Sequence, residues 1–155
     1  MKATVGFPAF RSVPLLIYIV ANSPNLMTLV SISCPVKPSE DSEKVRSAIL
    51  SIFPDAVLEE NEDGFSGTAP GLDRFSQLIR KQKILDATRA VLIAGIRGNR
   101  TRMLLNKQVA TVGKISFSDK KPVLGAIEVF VEDEDLVALI DRVSPITVDG
   151  EEVKA

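Results

Sequence analysis

The sequence predicts an α+β fold of two layers, a mostly antiparallel sheet with helices on one face. Short segments with two-residue alternation recur between residues 26 and 131. Between them lie segments whose apolar residues repeat at helical spacing. No strand is the long unbroken apolar run that a parallel sheet covered on both faces requires. A length of 155 residues fits one domain with a sizeable core.

Residues 1–26 read as an N-terminal extension. Lys2 and Arg11 precede a short apolar run, Val13 to Ala21, interrupted at Pro14. An upstream segment ahead of a start at Met27, an extra strand at Leu15–Val20 and a weak signal peptide all fit this pattern. The single α+β domain is expected at residues 27–147, and 148–155 as a polar, frayed tail.

Leu26–Cys34 alternates as a first strand, ended by Pro35 and Pro38. Ser39 is the expected N-cap of the first helix, with Glu40, Asp41 and Glu43 where the helix dipole favours negative charge. Val45, Ala48, Ile49, Ile52 and Phe53 form its stripe, and Pro54 stops it. Ala56–Leu58 and Phe65–Ala69 then form a hairpin across an acidic turn.

Between Gly71 and Gly95 the spacing predicts one long helix, with Leu72, Phe75, Leu78, Ile79, Leu85 and Leu92 on one half of its surface. Gly95 or Gly98 is expected as its left-handed C-terminal residue. Arg100–Leu105 reads as a half-buried strand and Asn106–Ala110 as a turn or single helical turn. Thr111–Ser118 and Leu124–Val131 read as the last strands, and Asp133 as the cap of a final helix carrying Leu136, Val137, Leu139, Ile140 and Val143. The expected order from Met27 is β-α-β-β-α-β-β-β-α.

Composition excludes several chemistries. Histidine is absent, which removes Ser-His and Cys-His dyads and the usual zinc hydrolase ligand sets. Cys34 is the one cysteine, so no internal disulfide framework exists, and a reducing cytoplasm is the expected location. No run of about 18 apolar residues suggests a membrane span. Glu59, Glu60, Glu62 and Asp63 match no calcium loop and read as a solvated hairpin tip. Gly95-Ile96-Arg97-Gly98 resembles the phosphate-clamping loop of KH domains, but that loop joins two helices, and Gly64–Gly67 matches it equally. No P-loop ending is present. A non-enzymatic protein without cofactor or metal is expected.

Charge is uneven. Residues 72–121 carry twelve basic and three acidic side chains, while the flanking segments 38–71 and 122–155 carry eight and nine acidic ones. A basic segment can be an electrostatic footprint for nucleic acid, or it can pair with the acidic segments beside it.

Several runs are familiar: Pro38–Val45, Ile52-Phe53-Pro54-Asp55, Leu78–Arg89, Leu104–Gln108, Gly113–Phe117 and Leu124–Ile127. Together they resemble uncharacterised archaeal protein family 0201, in unbroken order from about Met27 to Thr147. Residues 1–26 lie outside that pattern, and Lys83 stands where the family usually has Arg. The resemblance implies a fold similar to that of the ribosomal protein that binds 5S ribosomal RNA, and with it RNA binding. It supplies no catalytic residues, and a shared fold does not carry function with it.

Two partner expectations follow. For RNA, the candidate phosphate contacts are Arg80, Lys83, Arg97, Arg100, Arg102, Lys107 and Lys114, although a pI near 5.6 and few aromatics oppose a broad stacking platform. The alternative is an interaction or structural module forming a homodimer. Separately, Gln82, Asp86 and Arg89 fall within the apolar half of the long helix, where polar groups need partners. The expectation is a structural polar network: Arg89 paired with Asp86, and Gln82 bonded to a facing strand or to the turn containing Asn106 and Gln108.

Overall fold

The structure, a computed structural model, describes residues 28–118, 125–148 and 151–152. The expected extension at 1–26 and the turn at 119–122 lie outside the described residues. Five strands form one sheet: β1 (Leu29–Pro35), β2 (Val57–Asn61), β3 (Gly64–Ala69), β4 (Arg100–Leu105) and β5 (Ile127–Glu132). Their spatial order is β2-β3-β1-β5-β4, with every pairing antiparallel. Helices α1 (Ser42–Ile52), α2 (Asp73–Lys81), α3 (Leu85–Ala94) and α5 (Leu136–Val143) share one core with the sheet, and α4 (Lys107–Ala110) is a single turn.

Alternation decides the faces. Val30, Ile32 and Cys34 of β1, with Ile127, Val129 and Val131 of β5, point into the helical layer and are buried. The intervening residues Ser31, Ser33, Glu128 and Phe130 lie on the other face, which none of these helices covers.

Several boundaries differ from expectation. Asp41, not Ser39, caps α1, its carboxylate accepting from the Glu43 N–H at 3.0 Å. Ser39 sits in the preceding turn, closed by the Glu40 N–H donating to the Lys37 carbonyl. Asp135 caps α5, and Asp133 accepts from the Asp135 N–H and the Thr28 hydroxyl. Thr111–Ser118 is not a strand: a turn follows α4, and only Phe117 bridges to Leu105. The C-terminal tail holds a two-stranded pair, β6 (Thr147–Val148) and β7 (Glu151–Glu152), whose intervening sequence, Asp149-Gly150, is a tight-hairpin signal.

The long helix is in fact two. After Lys81 the Lys83 N–H donates to the Arg80 carbonyl and the Ile84 N–H to the Ile79 carbonyl, the paired bonds of a Schellman end. Lys83 takes the left-handed position, with φ of 60°, that glycine usually fills. Gly95, by contrast, is right-handed and needs its missing side chain for space, since a Cβ there would sit 2.6 Å from the Arg102 carbonyl oxygen. Gly98 is left-handed, but within the Arg97–Arg100 turn and not at the helix end.

These contacts also finish the β4 edge. Arg97 bonds both backbone groups of Arg100, Gly95 covers Arg102, and Ser118 and Ser116 bond Leu104 and Asn106. An edge so covered is closed to strand addition.

Candidate nucleic-acid interface

The predicted basic residues separate into structural and available groups. Lys107 is a correction: it is 3% exposed, and its ammonium donates to the Pro35 carbonyl at 2.6 Å and to Glu40 at 2.8 Å. It joins α4 to the chain leaving β1 and cannot face a phosphate. Arg80 lies back along α2, donating to the Ser76 hydroxyl and, at 3.0 Å, to the Arg142 carbonyl on α5. Arg102 pairs with Glu128 on the neighbouring strand, which offsets its charge.

Arg97, Arg100, Lys83 and Lys114 are exposed, and among the described residues none forms an ion pair with a carboxylate. They fall in two places. Arg97 and Arg100 flank the turn into β4, and the Arg100 guanidinium lies 4.7 Å from the centre of the Phe130 ring. Arg97 donates to the Ile96 carbonyl at 2.7 Å, which directs its side chain back along the turn. With Arg102, Phe117, Ser118 and Phe130 they line a cleft of about 460 Å³ that wraps round the β4 edge to the last turn of α3. Lys83 and Lys114 sit at the other end of α3, brought together because Gln82 and Ile115, their chain neighbours, are hydrogen-bonded.

The expected polar network is rearranged. Arg89 pairs with Asp141 of α5 at 2.6 Å and donates to the Ser144 carbonyl, so its partner is not Asp86. Asp86 instead accepts from the Thr147 hydroxyl. Gln82 bonds the backbone of Ile115, in the loop after α4, on both sides of its amide. Asn106 caps α4 through the Val109 N–H, and the Gln108 side chain is exposed, outside any network. These are separate ties: one set joins α3 to α5 and the chain after it, and the other fixes the α2–α3 junction to the 114–118 segment.

Two groups carry displaced proton affinities. Burial pushes the Cys34 thiol up to about 11, against a smaller opposing pull from Lys107. Burial also raises Glu40, but the Lys107 ammonium and the Lys37 N–H together outweigh it and hold the carboxyl below its usual range. Neither arrangement is that of a reactive nucleophile or base. Among the described residues no cluster of cysteine and carboxylate side chains could hold a metal ion, and no helix is long and apolar enough to cross a membrane.

No family model matches the chain. It is, however, 40% identical over 133 residues to a UPF0201 protein of Sulfolobus acidocaldarius, covering 80% of this chain and 92% of that protein. The chain belongs to the UPF0201 family. A UPF0200/UPF0201 protein of Archaeoglobus fulgidus is 41% identical over 81% of this chain, which spans 40% of that relative's length. The crystal structure of the UPF0201 protein from Methanococcus jannaschii matches with a TM-score of 0.73 at 35% identity, covering 83% of this chain and 100% of that one.

Within this UPF0201 chain, sequence reading missed Phe117 and Phe130 as cleft residues. Both occupy strand-pattern positions that look like core. Phe130 lies between the buried Val129 and Val131, and that alternation was the signal that it faces away from the helices.

Proposed function

We propose that this UPF0201 protein is a non-enzymatic RNA-binding protein whose contact surface centres on the β4-edge cleft. The observation that carries the reading is the cleft's composition: three arginines beside two phenylalanines in one recess of about 460 Å³. Arginines suit phosphates, and an aromatic ring with a guanidinium over it suits an unpaired base. The fold that the family resemblance implies, similar to that of the ribosomal protein that binds 5S ribosomal RNA, makes RNA the polyanion to test first. Fluorescence anisotropy with a labelled single-stranded RNA at about 50 mM salt provides that test. Arg97→Glu with Arg100→Glu is expected to weaken binding at least tenfold, and Lys44→Glu on α1 to leave it near wild type. Equal effects of the two changes, or no binding by the wild type, would defeat the reading.

A second reading, homodimerisation, is favoured by one observation. Ile93 and Val137 each stand one helical turn from a member of the Arg89–Asp141 ion pair that joins α3 to α5. They are 48% and 60% exposed, large apolar side chains left on the surface. Light scattering on a sizing column should give a dimer that Val137→Lys dissociates; a monomer at high concentration would end this reading.

A further inference from the structure

The two available basic pairs stand at opposite ends of one helix. α3 has ten residues, which separates its ends by about 15 Å. At one end Arg97 and Arg100 flank the cleft, and at the other Lys83 and Lys114 flank the α2–α3 junction. The helix between them has three sides. Leu85, Thr88 and Leu92 face the core, while Asp86 and Arg89 face α5 and the chain after it. At 100° per residue the third side is Ala87, Val91 and Ala94, and the last two line the cleft. That side carries no charge and no long side chain.

The segment below it runs the same way. Residues 114–118 begin at Lys114, pass Gln82 at Ile115, bond the β4 edge through Ser116 and Ser118, and end in the cleft at Phe117 and Ser118. A low, uncharged track therefore joins two positive ends, and a polyanion with regularly spaced charges complements it.

We infer that a single polynucleotide strand lies along this track, with phosphates at both ends and one unpaired base in the cleft; the inference rests on the RNA-binding reading above. At about 3.4 Å per stacked nucleotide, the separation corresponds to a footprint of about four to five nucleotides. A duplex cannot place a base in the cleft without unpairing it.

The test is a length series of oligouridylates, from about two to about twelve nucleotides, titrated by anisotropy at low salt. Wild-type affinity should climb up to about four or five nucleotides and then level off. The Lys83→Gln, Lys114→Gln protein should level off at about two or three and bind the longest strand at least tenfold more weakly. Lys83→Gly with Lys114→Gln gives the same comparison with a residue suited to the left-handed position. Identical length dependence in variant and wild type, or tighter binding of a duplex than of a strand of equal length, would overturn the path. Failure of every oligonucleotide to bind would remove the RNA-binding reading itself.

Discussion

Gln82 and Ile115 hold each other by two reciprocal hydrogen bonds: the Gln82 Nε2 donates to the Ile115 carbonyl at 2.9 Å, and the Ile115 N–H donates to Gln82 Oε1 at 2.8 Å. One amide thus satisfies both backbone groups of a buried residue that no strand pairs. It also fixes where the chain turns between α2 and α3. Gln82→Ala should cost about 2 kcal/mol in chemical denaturation, because two backbone groups lose their partners. Faster hydrogen exchange at Ile115 should accompany it. Unchanged stability would mean that water replaces the amide at no cost.

Lys83 makes the same junction slightly strained. A lysine at φ of 60° gives up about 1–2 kcal/mol relative to an unstrained backbone. Lys83→Gly should therefore raise stability by about 1 kcal/mol, after the extra flexibility of glycine in the unfolded chain is allowed for. Lys83→Ala, which keeps the strain, should give no gain. Thermal denaturation of the three proteins separates the two outcomes.

Lys107 should behave as a buried ion-pair partner. Lys107→Met should cost about 3–5 kcal/mol, since Glu40 and the Pro35 carbonyl lose their shared donor. The pair also sets an acid limit. Glu40 has its folded pKa held down, so its contribution is complete above the unfolded value of about 4.3 and is lost as pH falls through the folded value. Stability measured from pH 6 downward should therefore drop near and below pH 4 in the wild type, and this component of the drop should be absent from Lys107→Met.

Cys34 should be inert in the folded protein. Its thiol is buried and titrates at about 11, so alkylation by iodoacetamide at about pH 8 should be slow unless denaturant is added. Because the folded value lies above the unfolded one, the protonated thiol favours folding below about pH 9. That contribution should fade as pH rises toward 11. Cys34→Ala should remove this alkaline component. Rapid labelling of native protein would contradict the burial.

The β2–β3 hairpin, the α1 stripe and the strand character of β4 were legible because local periodicity and turn residues decide them. The break after Lys81 was not, because its left-handed residue is a lysine and the apolar spacing continues through it. Lys107 read as a surface charge because its partner, Glu40, lies 67 positions away in the chain. Gln82 was visible as a polar residue on an apolar stripe, but its partner was not, since Ile115 sits in a segment whose alternation imitated a strand. Long-range pairing decides each of these cases, and pattern within a window carries no record of it.

The most direct test of the RNA-binding account is the salt dependence of RNA affinity, measured for the wild type, Arg97→Gln with Arg100→Gln, and Arg80→Gln. Phosphate contacts should make the logarithm of wild-type affinity fall linearly with the logarithm of salt concentration. Losing the two cleft arginines should flatten that slope by about 1.4, at about 0.7 per phosphate of a single strand. Arg80→Gln, which removes an arginine tied to α5, should leave the slope unchanged. A wild-type affinity independent of salt, or equal flattening by the cleft and Arg80 variants, would contradict the division into structural and available charges.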